Sequence, residues 1–294
     1  MQIRGTLMLL GASFFWGTTF VAQMTGMEEL GPFSYAAARY FIGFLFLLTL
    51  LIYTRRKKKK SPRPTNSRSG ILIGLGIGAA LFVATSLQQV AMLYTTAGKT
   101  SFITCLYIVF VPLASVLLGK IIRRENWIGA GLAMFGLYLL AVREDFSIQF
   151  GDILVLISSF FWTLQILLID KFAAKLDAIE ISTGQLFTTF LLSLLVMFGF
   201  ESPTFEEIIG AAVPILYAGI MSSGIAFTLQ IYGQKYAEPA AAAILMSFEA
   251  IFGALSSWII LGEVMSSREI FGCILMIVGI TATQWSVIKK SLRL

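Results

Sequence analysis

Glu249 is a carboxylate set where a carboxylate is costly. It is the one charged residue in the 24-residue run from Pro239 to Gly262, PAAAAILMSFEAIFGALSSWIILG. As a helix that run is about 36 Å long, enough to cross a hydrocarbon layer about 30 Å thick. Glu249 then lies near the bilayer centre, where an acidic side chain costs about 2.5–3.5 kcal/mol on insertion scales. Such a group is tolerated when it faces partner groups or a wet cavity. Ala242, Leu245, Met246, Phe252, Gly253 and Ser256 share its helical face, and the small ones leave space beside it. Two roles stay open for it. The carboxyl can exchange a proton or bind a cationic group, or it can form a static ion pair with Arg39.

Arg39 lies about 10 Å in from one end of its own apolar segment. It can snorkel, pair with a carboxylate or bind an anionic group. Lys99, at the mouth of another segment, can steer an anion or simply lie at the surface. Neutral polar residues fall in helical stripes. Ser13, Trp16, Phe20 and Gln23 share one face, and Thr100, Thr104 and Tyr107 share another. Further stripes are Ser158, Trp162 and Gln165, then Ser223, Phe227, Gln230 and Gln234, with Thr85, Gln88 and Gln89 close together. Hydroxyls and amides in lipid need partners, so these stripes are expected to line an internal cavity. The competing reading is plain packing, with Ser and Thr bonded to carbonyls of their own helix.

Other chemistries drop out. The chain has no histidine, so no His-ligated metal, His base or His relay exists. Cys105 and Cys273 stand far apart inside apolar runs and read as small buried residues. The GKT at 98–100 resembles the end of a phosphate-binding loop. That pattern needs a glycine where Leu93 stands, and no strand precedes it. A membrane phosphotransferase would need clustered acids to hold Mg²⁺, and Glu249 is alone at its depth.

The elements that must hold these residues are apolar. Of 294 residues 57% are hydrophobic and 13% charged, and the mean hydropathy is +0.84. That composition excludes an ordinary soluble domain and fits a polytopic membrane protein. Ten apolar segments can be marked, at 5–25, 32–53, 70–91, 97–119, 126–143, 151–170, 180–200, 208–231, 239–261 and 268–287. Each is expected to be a membrane-spanning helix. Pro112 is expected to bend the fourth. The fifth and tenth carry spaced glycines and few polar groups, and read as packing helices.

With the N-terminus placed inside, 18 of the 22 Lys and Arg fall on inner connections, including the run Arg55–Lys60. Lys99, Arg143 and Arg268 fall outside and Arg39 within a segment. The basic residues thus mark topology rather than a nucleic-acid partner, and put both termini in the cytoplasm. The run Arg55–Lys60 reads as a solvated loop, with anionic lipid heads as the functional alternative.

The chain also repeats. A shift of 146 lays GTLMLLGASFFW (5–16) on GDILVLISSFFW (151–162), and a shift of 143 pairs Thr85 with Thr228, Gly119 with Gly262, Gly129 with Gly272 and Gly136 with Gly279. The recurrence of the N-terminal stretch argues against reading it as a signal peptide. Two copies are expected, 1–143 and 151–294. Five segments per copy is odd, so the second copy enters from the opposite side, as an inverted repeat. Arg39 then corresponds to Gln185 and Glu249 to Leu106.

ASFFWGTTFVAQ, GPFSYAAARYFIGF and TTAGKTSFITCLYIVFVPLASVLLGK resemble the first, second and fourth helices of an EamA-type module of the drug/metabolite transporter superfamily. The run from Pro239 through EVMSSREIFGCILMIVGI resembles that module's end. The first copy departs by closing in LLGK, where the family often has an acidic residue. The resemblance implies an all-α integral membrane protein of ten helices, two inverted five-helix repeats around a central cavity. It implies a secondary transporter, an exporter of small metabolites or drugs rather than an enzyme, in the inner membrane of a bacterium. Candidate cavity residues are Trp16, Gln23, Arg39, Gln88, Gln89, Lys99, Thr104, Tyr107, Trp162, Gln165, Ser223, Gln230 and Glu249. The expected partners are the lipid bilayer and a small-molecule substrate, with proton coupling at Glu249 as one option. No cofactor, metal or nucleic acid is called for, and a single chain is compatible with this reading. The alternatives in the same fold are an antiporter of phosphorylated compounds or nucleotide sugars, and a lipid flippase.

Overall fold

A chain in lipid must satisfy its backbone N–H and C=O groups internally, so apolar segments there become helices. The computed structural model describes residues 2–58, 67–95, 97–141, 148–262 and 264–291, and every regular element among them is helical. The first half holds α1 (Gln2–Glu29), α2 (Pro32–Lys58), α3 (Ser67–Ala91), α4 (Ala97–Thr104), α5 (Tyr107–Leu117) and α6 (Arg124–Ala141). The second begins with α7 (Phe150–Ala173), α8 (Ala178–Phe200), α9 (Phe205–Gly210) and α10 (Ala212–Tyr217). A π-helical stretch, Ala218–Ala226, leads into α11 (Phe227–Gln234). Last come α12 (Pro239–Met246), α13 (Phe248–Leu261) and α14 (Ser267–Ser291). Lys59, Lys60, Arg63, Arg143 and Arg293 of the charge count lie outside the described residues, as does the junction 142–147.

Among the described residues eight helical spans are long and apolar enough to cross a membrane, from Ile3–Glu29 to Pro239–Ile260. The other two expected segments form α6 and α14, which fall outside that set and pack on each other. Large apolar side chains such as Leu72, Phe198 and Val213 point outward, while Ser13, Thr85, Ser158, Gln165 and Thr189 are buried. Apolar outside and polar inside is the arrangement lipid imposes, since each buried hydroxyl or amide can find a partner only within the protein. Ser158 donates to Ala84 O at 2.8 Å, and Thr189 to Gly78 O at 3.2 Å. The chain is therefore a multi-pass membrane protein.

Small residues set the closest helix approaches. A Cβ on Gly136 would stand 2.5 Å from Gly272 O, and one on Gly129 2.6 Å from Gly279 O. The same holds in reverse for Gly272 against Gly136 and Gly279 against Gly129. The α6–α14 pair is thus a glycine-to-glycine contact at two levels. Gly119 and Gly262, which the 143 shift pairs, both end helices in left-handed backbone, with φ of 80° and 71°. That region favours glycine because it has no Cβ to clash.

Three expectations of continuous helices fail. The fourth segment is interrupted at Cys105–Leu106, not at Pro112, which lies inside α5. Pro112 removes one donor and the helix continues. The interruption falls where Leu106, Ile108 and Val109 bond back three residues instead of four. The ninth segment breaks at Ser247, where Ala250 N bonds to Ser247 O at 3.1 Å. The 143 shift places Thr104 on Ser247, so the two breaks fall at matching positions. The eighth contains the π stretch, which changes which residues share a face.

Candidate functional site

The break at Ser247 makes Glu249 the second residue of α13, in its first turn. The break at Cys105–Leu106 makes Tyr107 the first residue of α5. The two breaks meet there. Tyr107 Oη donates to Glu249 Oε1 at 3.1 Å, and Cys105 Sγ lies 3.6 Å from the same oxygen. A carboxylate in the first turn of a helix also faces the favourable end of the helix dipole. Two interrupted helices whose ends meet partway along their spans are a recurring way of building a polar site in lipid.

Glu249 lies in the wall of a cavity with about 580 Å³ of atom-free space, part of it open to solvent. α1 contributes Trp16, Phe20 and Gln23, and α2 contributes Arg39 and Tyr40. Thr85 and Gln88 come from α3, Thr104 and Tyr107 from either side of the first break. Trp162 and Ile166 of α7, Ser222, Phe227 and Gln230 of the eighth segment, and Met246 and Glu249 complete it. Gln88 Nε2 donates to Thr104 Oγ1 at 3.0 Å, tying α3 to α4. Phe227 stands between two indoles, edge-on to Trp16 at 5.2 Å and parallel to Trp162 at 6.4 Å. The 146 shift pairs those two tryptophans.

Arg39 is the one base and Glu249 the one acid on this wall. The guanidinium lies over the ring of Tyr40 at 4.6 Å, and an Nη donates to Tyr40 Oη at 3.0 Å. Its Nε is buried without an acceptor. Among the described residues, Arg39 and Glu249 do not form the ion pair held open above. Arg39 rests on Tyr35 and Tyr40, and Glu249 is held by Tyr107 and Cys105. The basic and the acidic side chain therefore both line the cavity without bonding to each other.

Of the expected cavity residues, Trp16, Gln23, Arg39, Gln88, Thr104, Tyr107, Trp162, Gln230 and Glu249 meet on this wall. Four do not. Gln165 stands behind Gln230, their amides bonded reciprocally at 3.0 and 3.2 Å. Gln89 turns to the sulfur of Met27. Lys99 pairs with Asp152 at 3.6 Å. Ser223 packs toward Gly43, where a Cβ on the glycine would stand 2.7 Å from Ser223 Cβ. Its neighbour Ser222 takes the wall position, within the π stretch that shifts the helical register there. Sequence reasoning also missed Tyr40 and Ile166, and named Met246 only as a neighbour of Glu249 on its helical face. Tyr40 had a signal, an aromatic hydroxyl adjacent to a deep arginine.

Apolar spans around a polar cavity with one basic and one acidic side chain are what a membrane transporter would present. Residues 3–142 and 149–284 match the EamA-like transporter family, and the chain belongs to it. A protein of Archaeoglobus fulgidus named an uncharacterized transporter is 28% identical over 280 residues, covering 95% of this chain and 85% of that one. The uncharacterized transporter YoaV of Bacillus subtilis is 24% identical over 285 residues, covering 95% and 96%. A crystal structure of a protein 18% identical superposes with a TM-score of 0.81, over 98% of this chain and 99% of that one, a likeness of fold.

Proposed function

We propose that this chain is a secondary transporter that exports small metabolites or drugs by alternating access, with two inverted five-helix copies exchanging conformations around the central cavity. The observation that carries it is the cavity wall itself, with one unpaired base, one acid and an aromatic cluster at the meeting of two broken helices. Support for the inverted repeat comes from contacts that map onto each other. Exchanging the copies turns the Gly129–Gly279 contact into Gly272–Gly136, and both contacts are present. With α6 and α14 counted as spans, the helices number ten.

The bilayer concerned is the inner membrane, with both termini cytoplasmic. Gln23, Arg39 and Gln88 lie in the halves of their helices away from Arg55 and Arg56, which supports an outward-facing reading of the cavity. A solute with a cationic end at Glu249, an anionic end at Arg39 and a flat body against Trp16, Phe227 and Trp162 fits this wall. An antiporter of phosphorylated compounds would want several bases, and the wall has Arg39 alone. Glu249 is also the group placed to carry a proton in exchange for substrate.

A thermal-stability screen of purified protein against zwitterionic, cationic, anionic and neutral solutes tests this. Binding to the folded state raises Tm by mass action. Zwitterions are expected to give the largest rise, and Arg39→Gln and Glu249→Gln each to reduce it. For proton coupling, Glu249→Gln should keep the fold yet lose the pH dependence of transport. Stabilisation by neutral apolar solutes alone, unchanged in both variants, would rule the charged-cavity reading out.

A further inference from the structure

Gln185 is buried with no exposure at all, and both of its amide atoms lack a partner among the described residues. An amide stripped of water without replacement bonds is costly, and native proteins rarely keep one without a reason. The 146 shift places Gln185 on Arg39. Each also sets its backbone carbonyl against a glycine of the other copy, though Gly219 and Gly78 are not themselves paired by the 143 shift. The carbonyl of Arg39 lies against Gly219 of the eighth segment, where a Cβ on the glycine would approach it to 2.9 Å. The carbonyl of Gln185 lies against Gly78 of α3, where a Cβ would approach to 2.5 Å. The third and eighth segments are themselves partners in the repeat. Yet Arg39 lines the open cavity and Gln185 does not.

We propose that Gln185 is the counterpart of Arg39 in the opposite conformation, a hydrogen-bonding wall residue of the cavity when it opens to the other face. This rests on the alternating-access reading above. Exchange of the two copies buries Arg39 and brings the Gln185 amide to water and to the solute. There the amide offers one acceptor and two donor hydrogens to a polar solute end, in place of the charge of Arg39. Its orphaned state in the present conformation is then the cost of serving in the other. The neighbouring positions behave differently. Gln23 and Gln88, on the open wall, map to Ile169 and Ile231, which are fully buried together with Ile77 and Ile181. Among these counterparts Gln185 is thus the buried one with an amide to satisfy.

Thiol labelling in sealed vesicles tests this, using the full chain with its two buried native cysteines as background. Gln23→Cys identifies the face to which the present cavity opens. Gln185→Cys is expected to react with a small methanethiosulfonate reagent from the opposite face only, as is Ile231→Cys. If Ile231→Cys reacts from that face and Gln185→Cys from neither, alternating access stands and the role of Gln185 falls. If neither reacts, both fall. A second variant is independent of reactivity at 185. Gln185→Leu removes the orphaned amide and so favours the present state. Labelling of Ile231→Cys from the opposite face should then drop about tenfold, the order expected for one buried unsatisfied group. An unchanged rate would mean that Gln185 is buried in both states, against the proposal.

Discussion

Tyr107 and Arg39 decide how Glu249 can behave. The hydroxyl of Tyr107 bonds Glu249 Oε1, and a glutamine there would keep an acceptor for it. Glu249→Gln is therefore expected to fold. Arg39 is bonded to Tyr40 instead and sits on aromatic faces. A static Arg39–Glu249 pair would make the two substitutions strongly coupled. In this structure they share no bond, so the stability changes of Arg39→Gln and Glu249→Gln should add in the double variant to within about 0.5 kcal/mol. Chemical denaturation of the four proteins in one detergent measures it. A coupling well above that figure would restore the pair.

Helix register is the next scale up. A π stretch inserts a residue's worth of rotation, so the face of the eighth segment changes between Ala218 and Ala226. Ser222→Cys should react with a small thiol reagent entering the cavity, and Ser223→Cys should react far more slowly, because Ser223 is packed at Gly43. Faster reaction at Ser223→Cys would mean a plain α-helical register, and equal reactivity would remove the distinction between the two. The α6–α14 contact makes a second test. Gly136→Ala puts a methyl into the carbonyl of Gly272 and should cost about 1–3 kcal/mol, as overpacking does. Gly131 lies on the same helix with nothing within 4 Å of its Cβ position. Gly131→Ala should be neutral or stabilise by up to about 1 kcal/mol, the gain in helix propensity. Thermal melts of both variants separate packing from propensity.

At the scale of the molecule the question is which end faces the cytoplasm. Basic residues gather at one end of the bundle, where Arg55 pairs with Glu180 at 3.1 Å, Arg123 with Glu238 at 3.1 Å, and Lys120 with Asp170. The orientation proposed above, which rests on the positive-inside rule, puts that end in the cytoplasm. Glu28 and Arg56 are exposed near opposite ends. In whole cells an impermeant thiol reagent should label Glu28→Cys and leave Arg56→Cys untouched until the cells are permeabilised. The reverse pattern would invert the bundle.

Much of this was legible along the chain. Span length, the clustering of Lys and Arg, the lone acid in an apolar run and the 146 and 143 shifts are properties of composition and spacing, and need no knowledge of neighbours. Stripes at period 3.6 placed Trp16, Gln23, Gln88, Thr104 and Trp162 on faces that meet in the cavity, because uninterrupted helices keep their period. Only the tertiary structure decided the rest. The breaks at Cys105–Leu106 and Ser247 and the π stretch change the hydrogen-bond ladder by one residue, and nothing in the local residue types marks them. The partner of Glu249 comes from 142 residues away. The sequence offered Arg39 as its candidate partner and gave no sign of Tyr107. The choice fell to Tyr107 because the two broken helices bring their ends together, a contact set by packing of the whole bundle.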